Sequence, residues 1–306
     1  MARPVGRFAP TPSGYLHLGN LFCSLIAWLA AKSRGGEIIL RNEDLDVERS
    51  RPEYALQAQR DLDALGLFWD QGGDKGGPHS PYDQSQRFDF YRVQLEKLEA
   101  QGRVYPCFCS RAQLHAASAP HASDGELLYN GACRDLTPEQ VAEKSRARSP
   151  ALRLRVPEET IAFTDLHYGP QAQHLPTGCG DFILRRSDGV YAYQLAVVAD
   201  DGAMGVTQVV RGRDLLSSTP RQTLLYRLLG YPVPEFGHTP LLLASDGRRL
   251  SKRDGDQSLS GILSRGYSPR DVVGGLAYLG GLLPEPAPAW PEELLPLFAW
   301  EKLPRG

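Results

Sequence analysis

The apolar and polar positions at the start of the chain predict a strand, a turn-rich loop, a helix and a second strand. Residues 5–9 predict a short strand, and the turn-rich PTPSG follows it. Apolar residues then recur at helical spacing from Leu18 to Leu29, before a second strand, EIILRNED, begins at Glu37. Ligands bind at the carboxyl ends of the parallel strands in such a βαβ unit. We therefore expect the first loop to form part of a binding site.

The pattern farther along the chain changes twice. Between Val104 and about Asp181 it turns to short β-like runs (VYPCFC, ALRLRVP, TIAFTDL). The segment DFILRRSDGVYAYQLAVVADD then predicts a strand-rich return, with Ser-Asp-Gly as a hairpin turn. Amphipathic patterns predict helices over residues 52–65, 87–101, 220–229, 269–282 and 291–298, with Ser268 as an N-cap.

The charge balance excludes one class of nucleic-acid binder. The 306 residues include 34 basic and 36 acidic side chains, for a net charge of −2. A polybasic protein whose affinity rests on a bulk positive field is therefore excluded, and any RNA contact must be local. A hydrophobic content of 42% is ordinary for a folded chain, and the length fits about two domains.

The sequence also bears on the cellular location. The start, MARPVGRFAP, has no apolar signal-peptide core, and the apolar stretch over residues 21–31 is shorter than the roughly 18 residues of a membrane span. The five cysteines are odd in number and unevenly placed, which argues against a secreted disulfide framework. We expect a cytoplasmic monomer without membrane contact.

The first candidate constellation is RFAPTPSGYLHLGN, which begins at Arg7. A strand end, a turn of small residues and a helix start present free backbone N–H groups and a positive dipole end, which suit a phosphate. His17 could donate a further hydrogen bond to a phosphate oxygen. By itself, HLGN is more often a helix start with an incidental histidine.

The second constellation, RLSKR, begins at Arg249 in a glycine-bearing loop. A flexible basic loop can close over a polyphosphate, and phosphoryl transfer is catalysed mainly by positioning and charge neutralisation. By itself, such a loop is more often a solvated surface turn.

Taken together, these motifs resemble those of class I aminoacyl-tRNA synthetases, with HLGN in place of the HIGH signature and RLSKR in place of KMSKS. RNEDLD, YDQSQRFDFY, DFILRRSDGVYAYQLAVVADD and VVRGRDLLSSTPRQ extend the resemblance to the glutamyl-tRNA synthetase catalytic core over residues 5–255. Only 53 residues follow Arg253, and a glutamyl-tRNA synthetase has a large anticodon-binding region there. The chain therefore resembles the truncated family of glutamyl-queuosine tRNA(Asp) synthetases.

The resemblance implies an α/β fold. We expect a Rossmann-type catalytic core in two halves, residues 1–103 and 181–255, the second of which carries the KMSKS-like loop. An inserted zinc-binding, acceptor-like subdomain would occupy residues 104–180. A short helical tail would occupy residues 256–306, without an anticodon-binding domain.

The implied activity is ATP-dependent, tRNA-independent activation of L-glutamate to glutamyl-adenylate. The glutamyl group is then transferred to the queuosine base at the wobble position of tRNA(Asp). The resemblance places His17 and Lys252 in catalysis, and the residues that bind ATP with Mg²⁺ would be His17, Gly19, Asn20, Ser251 and Lys252. Two alternatives stay open: a minimal glutamyl-tRNA synthetase that charges the 3′ end of tRNA(Glu), and an inactive tRNA-binding paralogue.

The resemblance also implies a glutamate pocket. Its residues would be Arg7, Phe8, Ala9, Pro10, Thr11, Glu43, Tyr193 and Arg211. Arginine suits a carboxylate because its guanidinium can bind both oxygens. Arg7 and Arg211 would hold the γ-carboxylate with a hydrogen bond from Tyr193, and Glu43 would hold the α-ammonium group. In the alternative, Glu43 simply pairs with an arginine.

Three cysteines, Cys107, Cys109 and Cys133, have spacing suited to a zinc ion. Thiolates two residues apart can bind one tetrahedral Zn²⁺ from a tight turn, with later ligands arriving across a loop. The resemblance gives Tyr129 as the fourth ligand, and His115 or His121 are alternatives. Three unrelated free thiols are the remaining possibility. Residues without an assigned role are Cys23, Cys179, His79, His167, His174 and His238; for these four histidines we expect surface or structural positions.

Overall fold

The structure is a computed structural model that describes residues 3–110, 128–242 and 258–305. The strands are β1 Val5–Phe8, β2 Glu37–Leu40, β3 Gln71–Gly72, β4 Val104–Cys107, β5 Ala151–Leu154, β6 Thr160–Asp165, β7 Gly169–His174, β8 Ile183–Arg185, β9 Gln208–Gly212 and β10 Glu235–Thr239. The α-helices are α1 Leu18–Lys32, α2 Pro52–Ala64, α3 Phe88–Ala100, α4 Pro138–Ala147, α5 Leu175–Gly178, α6 Tyr193–Ala203, α7 Thr219–Leu229, α8 Leu259–Leu263, α9 Pro269–Leu279 and α10 Pro291–Leu294. Short 3-10 segments cover Gly73–Lys75, Gln84–Gln86, Arg213–Ser218, Leu295–Leu297 and Trp300–Lys302.

Two sheets with parallel strands meet at the centre of the molecule. One has the order β1-β2-β3 and the other β7-β6-β10-β9, in which β10 runs parallel to both of its neighbours. Strand β9 lies along β1, because the N–H of Thr207 donates to the carbonyl of Val5 at 2.9 Å and Arg7 donates to the carbonyl of Val210 at 2.7 Å. The carboxyl ends of β1, β9 and β10 therefore lie at one edge, as expected for a Rossmann-type core.

Helix α1 connects β1 and β2 and confirms the predicted βαβ unit. Its apolar residues from Leu21 to Ala31 are nearly all buried, and they pack in one core with Val272, Val273 and Leu276 of α9. The helix begins directly after the turn-rich loop, so its amino terminus lies at the carboxyl end of β1. At α9, Ser268 is the N-cap as predicted, accepting a hydrogen bond from the N–H of Asp271 at 3.3 Å.

One sequence prediction about secondary structure is wrong. Residues 193–203 form helix α6, although the pattern predicted a strand-rich return through this segment. Leu195 to Asp201 are consecutively buried, since α6 lies inside a second core against α3 and α7. A short continuous apolar run is compatible with either a buried strand or a buried helix, so only the packing decides. The Ser-Asp-Gly turn itself is present: the backbone N–H of Arg186 donates to the carbonyl of Val190 at 2.8 Å.

A third, antiparallel sheet has the order β4-β5-β8. Three strands fall on unexpected sides of the predicted division: β8 pairs with β5 in this sheet, whereas β6 and β7 join the sheet of β9 and β10. The division of the chain into four parts stays a prediction. Within the three described segments, no helix combines the length and apolar character needed to cross a membrane.

Candidate active site

A cavity of about 450 Å³ opens at the carboxyl end of β1, where the turn-rich loop leads into α1. It contains the whole predicted glutamate pocket: its lining includes Arg7, Phe8, Ala9, Pro10, Thr11, Glu43, Tyr193 and Arg211. His17 and Asn20, predicted to bind ATP, line it as well, and Gly19 lies between them in the first turn of α1. The basic loop with Arg249, Ser251 and Lys252 lies outside the described residues.

His17 is the N-cap of α1. Its Nδ1 accepts a hydrogen bond from the N–H of Gly19 at 3.1 Å, and its own N–H donates to the side-chain oxygen of Asn20 at 3.2 Å. A Cβ on residue 19 would lie 3.0 Å from the His17 ring, so glycine lets the ring fold back over the helix. Because Nδ1 accepts, the proton of the neutral imidazole is on Nε2. His17 is thus a hydrogen-bond donor at the amino end of a helix, a place that favours phosphate.

Arg7 extends from β1 to the cavity, and contacts with Val210 and Asp201 fix its guanidinium. It is 5% exposed, its Nη1 donates to the carbonyl of Val210 at 2.7 Å, and its Nε lies 3.6 Å from a carboxylate oxygen of Asp201. The charge of Arg7 therefore has a protein counter-ion.

Arg211 reaches the same cavity from β9 and has different partners. It is 4% exposed, and its three nitrogens donate to neutral groups: Nε to Nε2 of His238 at 3.0 Å, Nη1 to Gln222 at 2.6 Å and Nη2 to Thr219 at 2.9 Å. Among the described residues, no carboxylate pairs with it. Burial lowers the pKa of this guanidinium, and the positive charge of Arg7 acts in the same direction.

Glu43 follows β2 and does pair with an arginine, as the alternative interpretation expected. Nη2 of Arg41 lies 3.3 Å from Glu43, whose side chain is 9% exposed. Burial raises the pKa of Glu43 against the opposing effects of Arg41 and Arg7. The same carboxylate also lines the cavity, so this pairing leaves it facing the site. Burial and the charge of Glu43 both raise the pKa of Tyr193, which keeps this phenol protonated.

Behind the cavity lies a buried charged network that the sequence analysis did not assign. Arg41 is fully buried, with Asp201 at 2.6 Å and Asp200 at 3.6 Å, and Arg87 donates to Asp200 at 2.7 Å. The signal was present in VVADD: two consecutive carboxylates at the end of an apolar run are costly to bury unless they are paired. His238, for which the sequence predicted a surface or structural position, is buried and hydrogen-bonded to Arg211; no motif indicated this contact with a cavity residue.

The three predicted zinc-ligating cysteines come together. The sulfur atoms of Cys107, Cys109 and Cys133 all lie within 4.8 Å of one another, and those of Cys109 and Cys133 are 3.6 Å apart. The hydroxyl of Tyr129 lies 3.5 Å from the sulfur of Cys107 and 3.8 Å from that of Cys109. His115 and His121 lie outside the described residues.

These distances fit a zinc ion. A tetrahedral Zn²⁺ with bonds of about 2.3 Å holds its sulfur ligands about 3.8 Å apart, close to the spacing of Cys109 and Cys133. Burial opposes ionisation of Cys107, yet its hydrogen bonds with Tyr129 and the neighbouring backbone, together with Arg153, lower the pKa of this thiol. The thiol of Cys107 therefore ionises more easily than an ordinary cysteine thiol, whereas burial and the charge of Cys107 raise the pKa of Cys109 to about 11.

Comparisons with known proteins agree with this geometry. The family profile "tRNA synthetases class I (E and Q), catalytic domain" matches residues 5–285. A glutamyl-Q tRNA(Asp) synthetase of Symbiobacterium thermophilum is 59% identical over 98% of this chain and 94% of its own length, and one of Nitratidesulfovibrio vulgaris is 49% identical over 98% and 93%.

Among solved structures, a glutamate tRNA ligase from Elizabethkingia meningosepticum, in complex with its amino acid, superposes with a TM-score of 0.86. It is 29% identical, and the match covers 100% of this chain and 66% of that one. The chain therefore belongs to the class I tRNA synthetase family that this profile describes, and within it to the glutamyl-Q tRNA(Asp) synthetases.

Proposed function

We propose that the protein activates L-glutamate with ATP and transfers the glutamyl group to the queuosine base at the wobble position of tRNA(Asp). The observation that carries the proposal is the pair of buried arginines in one cavity, Arg7 and Arg211. Arg211 has only neutral partners among the described residues. The names of the two relatives above support the choice of tRNA.

Burying a cation without a counter-ion is unfavourable in free energy, because the cation loses its hydration and no opposite charge compensates for that loss. The lowered pKa of Arg211 reflects this cost. A substrate carboxylate in the cavity would supply the missing anion, and the γ-carboxylate of glutamate is such a group. Glu43 at the same cavity offers the negative charge that an α-ammonium group needs. The site thus has charges of both signs, as an acidic amino acid requires.

In the first step, an oxygen of the glutamate α-carboxylate forms a bond to the α-phosphorus of ATP. The bond from phosphorus to the bridging oxygen breaks, and pyrophosphate leaves. ATP enters as its Mg²⁺ complex and is a substrate. Nε2–H of His17 and the positive end of the α1 dipole would stabilise the negative charge on the phosphate oxygens. Lys252 is proposed as a further cation for pyrophosphate, from the family resemblance alone.

In the second step, a hydroxyl of the queuosine cyclopentene diol attacks the glutamyl carbonyl carbon. An ester forms, AMP leaves, and the hydroxyl proton is released. The diol resembles the terminal ribose that ordinary synthetases acylate, so the same cavity can serve either nucleophile.

The test is glutamate-dependent exchange of labelled pyrophosphate into ATP without tRNA, followed by transfer to tRNA(Asp) with and without queuosine. We expect exchange, and transfer only to the queuosine-containing tRNA. Nuclease mapping then locates the labelled glutamyl group: recovery on the 3′-terminal adenosine of tRNA(Glu) would establish the minimal glutamyl-tRNA synthetase instead. Absence of exchange would favour an inactive tRNA-binding paralogue.

We further propose that Cys107, Cys109, Tyr129 and Cys133 hold one structural Zn²⁺. The ion would fix the chain between β4 and α4, in a subdomain inserted into the catalytic core. The helices α8, α9 and α10 would form a short C-terminal tail. We also propose that the protein is a monomer in the cytoplasm, where tRNA and ATP are found.

A further inference from the structure

We propose that His238, oriented by Asp165, is a positioning residue that sets Arg211 for the γ-carboxylate of glutamate. This inference rests on the proposed function, since it concerns affinity for that amino acid. His238 lies on β10 directly beside Arg211 of β9 in the parallel register. His238 and Asp165 are 0% and 1% exposed, so the three side chains form one buried chain that ends at the cavity.

The two neighbours of His238 define its protonation. Nδ1 of the imidazole lies 2.6 Å from a carboxylate oxygen of Asp165, and Nε2 lies 3.0 Å from Nε of Arg211. An ionised carboxylate only accepts hydrogen bonds and a guanidinium only donates them. The proton must therefore be on Nδ1, and Nε2 must offer its lone pair to Arg211. A proton on Nε2 would set two donors against each other.

Asp165 is itself fixed. Its Oδ1 accepts hydrogen bonds from the backbone N–H groups of His167 at 3.0 Å and Tyr168 at 2.9 Å, in the turn that follows β6. The other oxygen is left to face His238. The orientation of the imidazole is thus determined by backbone groups of a neighbouring strand and turn.

The guanidinium of Arg211 is held on three sides. His238, Gln222 and Thr219 each take one N–H, and Gln222 is braced in turn by a hydrogen bond of 2.8 Å to Gln194. One hydrogen on each terminal nitrogen remains beyond these bonds, which is what a bidentate carboxylate needs.

The neutrality of these partners has a consequence for specificity. A carboxylate at any of the three positions would satisfy the charge of Arg211 within the protein, and the site would lose much of its preference for glutamate over glutamine. His238 supplies an acceptor without a charge. It therefore orients Arg211 and leaves its charge for the substrate.

A matched pair of variants tests this role. The amide of glutamine in His238→Gln can place an acceptor near the position of Nε2, whereas His238→Asn reaches only the position of Nδ1 and leaves Nε of Arg211 without a partner. We expect His238→Asn to raise the KM for glutamate in the exchange reaction by about 10- to 100-fold with kcat changed less than about threefold. His238→Gln should recover most of the affinity.

A merely structural role for His238 predicts a different pattern. Equal KM values for the two variants, or a larger loss in His238→Gln, would overturn the inference. If His238→Asn does not fold, Gln222→Glu provides a second test: a carboxylate beside Arg211 should raise the KM for glutamate and lower the ratio of glutamate to glutamine affinity, and an unchanged ratio would overturn the inference. Absence of exchange in the unmodified protein would overturn the proposed function and this inference together, whereas exchange without the variant pattern would overturn only this inference.

Discussion

Replacing Asp200 with asparagine should destabilise the protein strongly. The carboxylate of Asp200 is fully buried and accepts hydrogen bonds from Arg87 at 2.7 Å, Gln84 at 2.8 Å and the hydroxyl of Tyr91 at 2.8 Å. Asparagine keeps the volume but replaces one acceptor oxygen with an NH₂ group that faces donors. It also removes the negative charge from between Arg87 and Arg41.

Removing one partner from a buried ion pair costs about 3–5 kcal/mol of unfolding free energy. For a chain of 306 residues, each 1 kcal/mol lowers the midpoint of thermal unfolding by about 2 °C. We therefore expect Asp200→Asn to lower the midpoint by about 6–10 °C, measured by calorimetry.

Asp201→Asn separates the stability of this network from its influence on the site. Asp201 contacts Arg41 at 2.6 Å and also faces Arg7 at 3.6 Å, and Arg7 lines the cavity. Asp200 makes no side-chain hydrogen bond or ion pair with a cavity residue among those that the structure describes. Both variants should lose stability, but only Asp201→Asn should raise the KM for glutamate, by about tenfold.

The control is Asp188→Asn, which removes an exposed ion pair with Arg186. Exposed pairs contribute little, so its unfolding midpoint should stay within about 2 °C of the unmodified protein. The reasoning is refuted if Asp200→Asn lowers the midpoint no more than this control does, or if the two buried variants change the KM alike.

Three further predictions concern metal, catalysis and pH. The purified protein should contain about one zinc per chain, and Cys109→Ser less than half of that by elemental analysis; equal zinc contents would contradict the cluster. His17→Ala should lower kcat of pyrophosphate exchange about 100-fold while the KM for glutamate changes less than threefold; an unaltered kcat would remove His17 from the mechanism. Burial lowers the pKa of His238 from 6.5 to about 4. Between pH 6.5 and about 4, His238 binds a proton in the unfolded chain but not in the folded one. The free energy of unfolding therefore decreases as the pH falls through this range. At pH 5, His238 should lower the free energy of unfolding by about 2 kcal/mol relative to neutral pH. Chemical denaturation of His238→Gln should not show this loss.

Much of the fold could be predicted from local patterns. The strand, turn-rich loop and helix at the start of the chain are confirmed, because burial of α1 on one side of a sheet demands a run of apolar residues. The helix α6 could not be predicted, since its buried run is compatible with two kinds of secondary structure. Assignment of β6 and β7 to the sheet of β10 depends on pairing between distant segments, which local sequence does not encode.

The candidate site divides in the same way. The sequence by itself determined which residue types meet at the cavity, because Arg7, His17, Glu43, Tyr193 and Arg211 all lie in motifs that the family resemblance picks out. Only the tertiary structure decided which groups stand behind them. Asp201 neutralises Arg7 and Asp200 holds the network together, whereas neutral partners leave the charge of Arg211 for a ligand. These relations depend on distances between strands and helices far apart in the chain, and the electrostatic environment of a buried charge is set by such neighbours rather than by its own motif.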